Sequence, residues 1–392
     1  MTADKLPEPK NLVIEGGKIR RILSPESDIP EGAEVIDISG QYVIPGLIDS
    51  HVHLDSFKNK PRTVRTQQTE DFLRLNLYGG VTSVRDMGGD LRLVMELKRA
   101  AALHEIPSPD IYYSSLVAGP QYFAETPDRV EGMFRAWPQE NSPWQTKIEA
   151  DTDLVQAIAE IKGIGSSGIK MYAGLDRETA ARLSAEAKRQ GLRVWGHAAL
   201  MPAKPSELVD AGLEVFSHIN LLVWEAADDL SASFLENNKN YSLEFRKSVP
   251  DISALLKKMA QAGAIIDATA VIAENINNEK QVIAFLKMAK AHNVKVCSGT
   301  DMHGLLNKDW PGLFDEIYFF VEKAGYSPWQ ALQAATLNGA AATGVDHDRG
   351  TIEEGMRADL VVLANNPLES IRNLESVLLT LKSGVVYKRD DL

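Results

Sequence analysis

One cysteine, Cys297, is all that the 392 residues contain, which excludes an intramolecular disulfide framework and a zinc site built from thiolates. No apolar run approaches the roughly 18 residues that a membrane-crossing helix needs. Positive charge is in deficit: 42 Lys and Arg against 54 Asp and Glu leave a formal net charge of −12. That balance argues against nucleic acid or an anionic membrane as partner and leaves a small-molecule substrate as the expected one. The opening Met1-Thr2-Ala3-Asp4-Lys5 does not read as a secretory signal. The expectation is a cytoplasmic protein, or a periplasmic or secreted one whose leader has been removed. Apolar content of 44% and charged content of 24% are those of an ordinary globular chain, and association into a homo-oligomer stays open.

What the chain does have is the stretch Val43-Ile44-Pro45-Gly46-Leu47-Ile48-Asp49-Ser50-His51-Val52-His53-Leu54. Its apolar, β-branched start reads as a buried strand, and side chains alternate along a strand. His51 and His53 therefore share a face and can grip one ion between them. On spacing alone, two ordinary surface histidines are an equal alternative.

Before this stretch, residues 11–19 read as a hairpin around Gly16-Gly17, and Val35-Ile36-Asp37-Ile38 reads as a further short strand. From residue 43 to about 344, strands alternate with helices. The later strands are expected at 81–86, 111–117, 168–172, 192–197, 213–218, 264–268 and 294–301. Helices are expected near 70–77, 90–104, 153–162, 177–190, 252–262 and up to 291. Two irregular excursions interrupt the alternation. The first carries Pro120, Pro127, Pro138, Pro143, Trp137 and Trp144, and its tryptophans predict packing against something; the second covers roughly 223–250. Eight strand–helix units predict a (β/α)₈ barrel, an α/β fold whose site lies at the C-terminal ends of its strands.

The chemistry-bearing residues fall at those ends: His51 and His53 on the first strand, Lys170 on the fourth, His197 on the fifth, His218 on the sixth and Asp301 on the eighth. Imidazoles and a carboxylate suit zinc and related divalent ions. Four histidines and an aspartate exceed the three protein ligands typical of one catalytic zinc, so two divalent ions are expected, about 3.5–4 Å apart with an activated water between them. An ammonium at Lys170 would be repelled by two cations. A carbamylated Lys170 would instead be an anion able to bridge them, the alternative being a lysine turned outward into a salt bridge.

With these residues in place, the chain is identified as resembling the amidohydrolase superfamily over nearly its whole length. The resemblance rests on Pro45-Gly46-Leu47-Ile48-Asp49-Ser50-His51-Val52-His53, Gly168-Ile169-Lys170, Gly196-His197, Ser217-His218, Ser298-Gly299-Thr300-Asp301 and the closing run from Gly350 to Leu363. It implies that residues 1–42 and 345–392 pair into a small β-sandwich flanking the barrel of residues 43–344. It also implies that His51, His53 and Asp301 hold one metal and that His197 and His218 hold the other. Carbamylated Lys170 would bridge them, and Asp301 would act as the catalytic proton shuttle, a role within the reach of a carboxylate beside the nucleophile. Within the superfamily the chain is similar to the prolidase-like, Xaa-dipeptidase and imidazolonepropionase-like branch. The signal is Val81-Thr82-Ser83-Val84-Arg85-Asp86-Met87-Gly88-Gly89 together with the strand-four lysine. Two features depart from that branch: the N-terminal β segment starts late, as if a leading strand were missing, and the third-strand loop lacks a glycine- and histidine-rich run.

Four residues are candidates for substrate contact. Tyr172 lies two positions past Lys170 on the same face, and packing at the barrel mouth is the equal alternative. His303 follows Asp301 by two. Arg85 could pair with a substrate carboxylate, although an internal salt bridge is the commoner fate of such an arginine. Tyr113 sits on the third strand. The expected function is a metal-dependent hydrolase cleaving an amide, a dipeptide or an N-acyl amino acid. Three competitors share the barrel. A mononuclear deaminase of a cyclic amidine would normally lack Lys170 and place a glutamate after His197, where Ala198-Ala199-Leu200 stand. The others are a lactonase or phosphotriesterase with the same ligands and a non-catalytic scaffold.

Overall fold

In the computed structural model, the described residues are 8–54, 61–126, 141–142, 144–272, 278–301 and 309–392. Eight parallel strands pair strictly in chain order: Leu47–Val52, Val81–Asp86, Asp110–Ala118, Gly168–Met171, Arg193–His197, Val215–Ser217, Ile265–Asp267 and Lys295–Cys297. They are numbered here as the first to eighth barrel strands. Backbone hydrogen bonds from Ser50 N to Ser298 O (3.0 Å) and from Asp301 N to His51 O (2.8 Å) join the eighth strand back to the first. The predicted (β/α)₈ barrel is what the chain forms.

Helices fill the crossovers, among them Arg62–Tyr78, Leu91–Ala102, Leu154–Gly163, Arg177–Arg189, Ser253–Ala262 and Glu279–Ala291. Their starts are written in the sequence. Asp90, Asp153 and Asp176 each accept hydrogen bonds from backbone N–H groups of the first turn that would otherwise lack partners. The strands are buried on both faces, between the barrel interior and the helices, which is why they read as nearly continuous apolar runs. Three further helices, Leu313–Glu322, Pro328–Ala334 and Leu337–Thr343, follow the eighth strand. None of the helices described is long and apolar enough to cross a membrane.

The flanking unit is a four-stranded antiparallel sheet, Tyr42–Pro45, Leu360–Leu363, Val377–Lys382 and Val385–Lys388, with the hairpin Asn11–Glu15 and Lys18–Leu23 packed on it. Ile19, Ala358, Leu360, Val362, Leu379 and Leu381 form its own small core. Two expectations are corrected here. Residues 43–54, read as one strand, divide at Gly46: Tyr42–Pro45 pairs with Leu360–Leu363, and only from Leu47 does the chain join the barrel. Glycine is needed at the division because a Cβ there would lie 2.2 Å from Thr82 Oγ1. Val35 to Ile38 forms no strand; Val35 and Ile36 are exposed and gain no pairing partner.

Part of the first excursion lies among the described residues. Pro120–Glu125 is a short helix, and Gln145–Lys147 extends the sheet beside Leu116–Ala118, with Trp144 buried as expected. Pro127, Trp137, Pro138 and Pro143 lie outside the described residues. In the second excursion, a 3₁₀ turn at Ile219–Ala226 and helices Phe234–Asn240 and Leu243–Arg246 replace the irregular chain expected.

Candidate metal centre

Alternation along the first barrel strand turns His51 and His53 to one side, and each ring is fixed through its Nδ1. His51 Nδ1 lies 2.7 Å from Asp267 Oδ2, and His53 Nδ1 lies 2.6 Å from the Gly88 carbonyl oxygen. Carbonyls and ionised carboxylates only accept, so both Nδ1 atoms carry the proton. Gly88 is held in turn by Asp86, which accepts from Gly88 N and Leu54 N. The opposite ring atoms, His51 Nε2 and His53 Nε2, face Asp301 Oδ1 at 3.3 and 2.9 Å. One ligand atom from each of these three residues can be chosen so that all lie within 4.8 Å of one another. With both rings neutral, three lone pairs converge, an arrangement that repels itself unless a cation or a proton stands between them. Two imidazole nitrogens and a carboxylate oxygen suit zinc or a related divalent ion, so the donor set fits a metal.

The remaining imidazoles continue the file. Ring centroids run from His53 to His51 at 5.3 Å, His51 to His218 at 4.9 Å and His218 to His197 at 4.8 Å. His218 Nδ1 lies 2.9 Å from Thr269 Oγ1 and 3.9 Å from Asp301 Oδ2, so the hydroxyl is its hydrogen-bond partner. Lys170 projects from the middle of the fourth strand. It is buried, and among the described residues its Nζ has no hydrogen-bond partner.

Electrostatics favour the ligating forms of His51, His197 and His218, whereas at His53 burial is outweighed by Asp301 and Asp86, which raise the imidazole. Burial pulls the His218 imidazole down to about 3, and burial together with the neighbouring charge of Lys170 holds His197 well below its ordinary value. Burial likewise lowers His51, against the pull of Asp267 and Asp301. Lowered values favour the neutral imidazole, the form that binds metal. Burial opposes ionisation of Asp301, yet the imidazoles of His51, His53 and His218 hold its carboxyl well below the usual range. Burial lowers the Lys170 amine to about 7, which makes its neutral form accessible near neutral pH.

The structure thus gathers His51, His53, Lys170, His197, His218 and Asp301 at one end of the barrel. Tyr172 joins them at the mouth, its ring 4.0 Å from that of His197 and 4.9 Å from that of Tyr122. Two other candidates for substrate contact lie elsewhere. Tyr113 turns into the layer between sheet and helices, where its hydroxyl donates to the Ile164 carbonyl at 2.6 Å and Lys98 Nζ sits over its ring. Arg85 is fully buried, donating to Ser50 O, Ala342 O and Asp267 Oδ2 and stacked on Trp195. A guanidinium with those partners cannot reach a substrate carboxylate. His303 lies outside the described residues.

Asp267, at the end of the seventh strand, is the member that sequence reasoning missed, with Thr269 two residues beyond it. The available signal was an acid closing the otherwise apolar Ala264-Ile265-Ile266 run. Burial opposes ionisation of Asp267, but His51, Arg85 and Lys170 hold it down at about 2. His218, Thr269 and Asp301 have φ of 68°, 46° and 50°, so three successive strand ends place non-glycine residues in the left-handed region at the rim of the site.

The family model described as "Amidohydrolase family" matches residues 42–387. The chain belongs to the amidohydrolase family. It is therefore an enzyme of a hydrolase class that acts on carbon–nitrogen bonds of small molecules and generally uses metal ions. It is 23% identical to an imidazolonepropionase of Picrophilus torridus, over 92% of this chain and 86% of that one. It is 26% identical to an adenine deaminase of Lactiplantibacillus plantarum, over 96% of this chain but only 56% of the relative, so it spans about half the length of that protein. Among solved structures, a Xaa-Pro dipeptidase with methionine bound in its active site superposes with a TM-score of 0.74 at 21% identity, covering 96% of this chain and 94% of that one. At that identity the likeness shows the shared fold. The amidohydrolase barrel accounts for the position of the file of imidazoles, at the end where the strands of such barrels finish.

Proposed function

We propose that this amidohydrolase is a binuclear metal-dependent enzyme that hydrolyses the amide of a dipeptide or an N-acyl amino acid. The observation that carries the reading is the convergence of His51 Nε2, His53 Nε2 and Asp301 on one point, with the neutral rings of His197 and His218 and the unpartnered amine of Lys170 beside it. His51, His53 and Asp301 would hold one ion, and His197 and His218 the other. Lys170 Nζ, deprotonated in its buried site, would add to carbon dioxide; the new N–C bond releases one proton and leaves a carbamate that serves both ions. Two divalent ions in these positions, zinc by the chemistry of the donors, would polarise the scissile carbonyl and lower the pKa of water.

The chain's own residues do the rest. Asp301 Oδ atoms, ionised in the resting site, take the proton of the attacking water and return it to the departing amine nitrogen. His51 and His53, fixed at Nδ1, keep their Nε2 atoms aimed at that carboxylate. Tyr172, stacked against His197, borders the space that the substrate would occupy. Likeness of fold to a Xaa-Pro dipeptidase supports the dipeptide arm of the reading. The similarity to an imidazolonepropionase favours one second reading, hydrolysis of a cyclic amide. A mononuclear deaminase is disfavoured by Lys170 and by Ala198-Ala199-Leu200 after His197, where that chemistry would place a glutamate. The test is a hydrolysis screen of zinc-loaded enzyme over dipeptides, N-acyl amino acids and cyclic amides. Cleavage is expected among the first two; turnover confined to cyclic amides would replace the dipeptidase reading with the second.

A further inference from the structure

The seventh barrel strand supplies none of the six proposed ligands, yet its last residue, Asp267, touches the site directly. Its Oδ2 is the meeting point of three donors: His51 Nδ1 at 2.7 Å, Ser217 Oγ at 2.9 Å and Arg85 Nη2 at 3.1 Å. Arg85 is itself clamped by the Ser50 carbonyl at 2.6 Å and the Ala342 carbonyl at 3.1 Å, with its guanidinium over the Trp195 ring. The eighth strand is built around the same pair. A Cβ added at Gly299 would lie 2.4 Å from Asp267 Oδ1 and 2.6 Å from His51 Cβ, so the glycine of Ser298-Gly299-Thr300-Asp301 leaves room for the contact. Strands one, two, six, seven and eight thus all bear on one hydrogen bond.

We propose that Asp267 is a positioning residue that fixes the tautomer of His51, and that Arg85 is the counter-ion that keeps Asp267 in place to do so. With the imidazole proton held on Nδ1, His51 presents the bare Nε2 on the side of Asp301. An outer carboxylate of this kind also makes the ligating nitrogen more basic. Arg85 therefore serves the metal centre through Asp267 rather than the substrate through its own charge. The inference rests on His51 being a metal ligand.

Two measurements test it. In metal-free wild-type enzyme labelled with ¹⁵N-histidine, long-range ¹H–¹⁵N spectra at pH 8 should show a neutral ring protonated at Nδ1 whose signal disappears in His51→Asn. A proton on Nε2 of that ring overturns the proposal without any further variant. In chelator competition, Asp267→Ala should bind zinc about 10–100-fold more weakly than wild type, and the His51 ring should lose its single tautomer. Asp267→Asn, which keeps an acceptor oxygen for Nδ1, should recover the tautomer and part of the affinity, a rescue that a purely structural role would not tie to the ring spectrum. Wild-type affinity together with an unchanged tautomer in Asp267→Ala would remove this inference alone. Wild-type enzyme that retains no divalent ion would remove the metal-centre reading beneath it. If Asp267→Ala does not fold, the wild-type spectrum and the Asp267→Asn affinity decide: Nδ1–H with weakened binding supports the role, and unweakened binding opposes it.

Discussion

Asp301 faces two imidazole nitrogens through one oxygen and lies within 3.9 Å of a third ring through the other, so it is held ionised and can also receive a proton from anything bound between them. Replacing it with the isosteric amide keeps an oxygen donor but removes the base. Asp301→Asn should lower kcat by roughly 10²–10⁴-fold. Metal analysis of the same variant should show most of the metal retained on the histidines. Lys170 makes a separate prediction, for the metal-free protein. Its amine titrates near 7 when folded, against an ordinary value of 10.5. Between those values the unfolded chain binds a proton that the folded chain does not, so this group's contribution to stability rises with pH from about 7 to 10.5 and is lost as pH falls through 7. Metal-free Lys170→Met should therefore show a flatter dependence of melting temperature on pH over that window than wild type does. The proposed ligand residues were legible because each lies in or just past a strand within a recognisable run. Asp267 was not, because a single acid after three apolar residues looks the same whether it points to a histidine or to solvent. Tyr113 misled for a related reason: which face of a strand a residue occupies depends on the phase of the pleat, and the wrong phase sends a side chain into the helix layer. Arg85 forms the internal salt bridge weighed as its commoner fate, with Asp267 at 3.1 Å.

At the scale of elements, the site depends on how the third and fourth strands leave the barrel. Gly119 N donates to Ala173 O at 2.9 Å, and a Cβ at Gly119 would meet the Gly174 carbonyl oxygen at 1.8 Å. This backbone-to-backbone crossing seats the helix Pro120–Glu125 so that Tyr122 packs on Tyr172, and Tyr172 on His197. Gly119→Ala must part the two loops, at a cost of roughly 1–3 kcal/mol. A lowered melting temperature with a raised KM is expected, since the aromatic wall would shift relative to His197. Strand and helix order could be read because apolar runs and N-caps are local signals. The split of residues 42–52 between two sheets was not read, although Pro45-Gly46 interrupts the apolar run, because apolar residues on either side carry no mark of which partner each half finds. The failed strand at Val35 to Ile38 shows the converse: a suitable pattern forms no strand without a neighbour to pair with.

Across the whole molecule, the barrel and the flanking sheet are joined far from the imidazoles by charges around Asp110, the first residue of the third strand. Arg349 and Arg357 each reach its Oδ2 at 3.1 Å, and Lys382 reaches Oδ1 at 3.3 Å while donating to Ser108 O. Burial opposes ionisation of Asp110, but these cations hold its carboxyl below the usual range. Asp110→Ala leaves buried Lys382 without its counter-charge, while Arg349 keeps Asp348 and Asp359, and should destabilise the protein by roughly 3–5 kcal/mol, read as a lower denaturation midpoint. Zinc stoichiometry of the folded fraction should be unchanged, because none of these residues belongs to the site. A second link between the two units is covalent and much shorter. Only Gly46 separates Pro45, paired in the flanking sheet, from Leu47 in the barrel, and four residues later the same strand bears His51. Tension applied to the outer sheet would thus be delivered along one stiff, nearly continuous ribbon to the ring that faces Asp301. Peeling the flank away and displacing the ring that faces Asp301 become, mechanically, a single event.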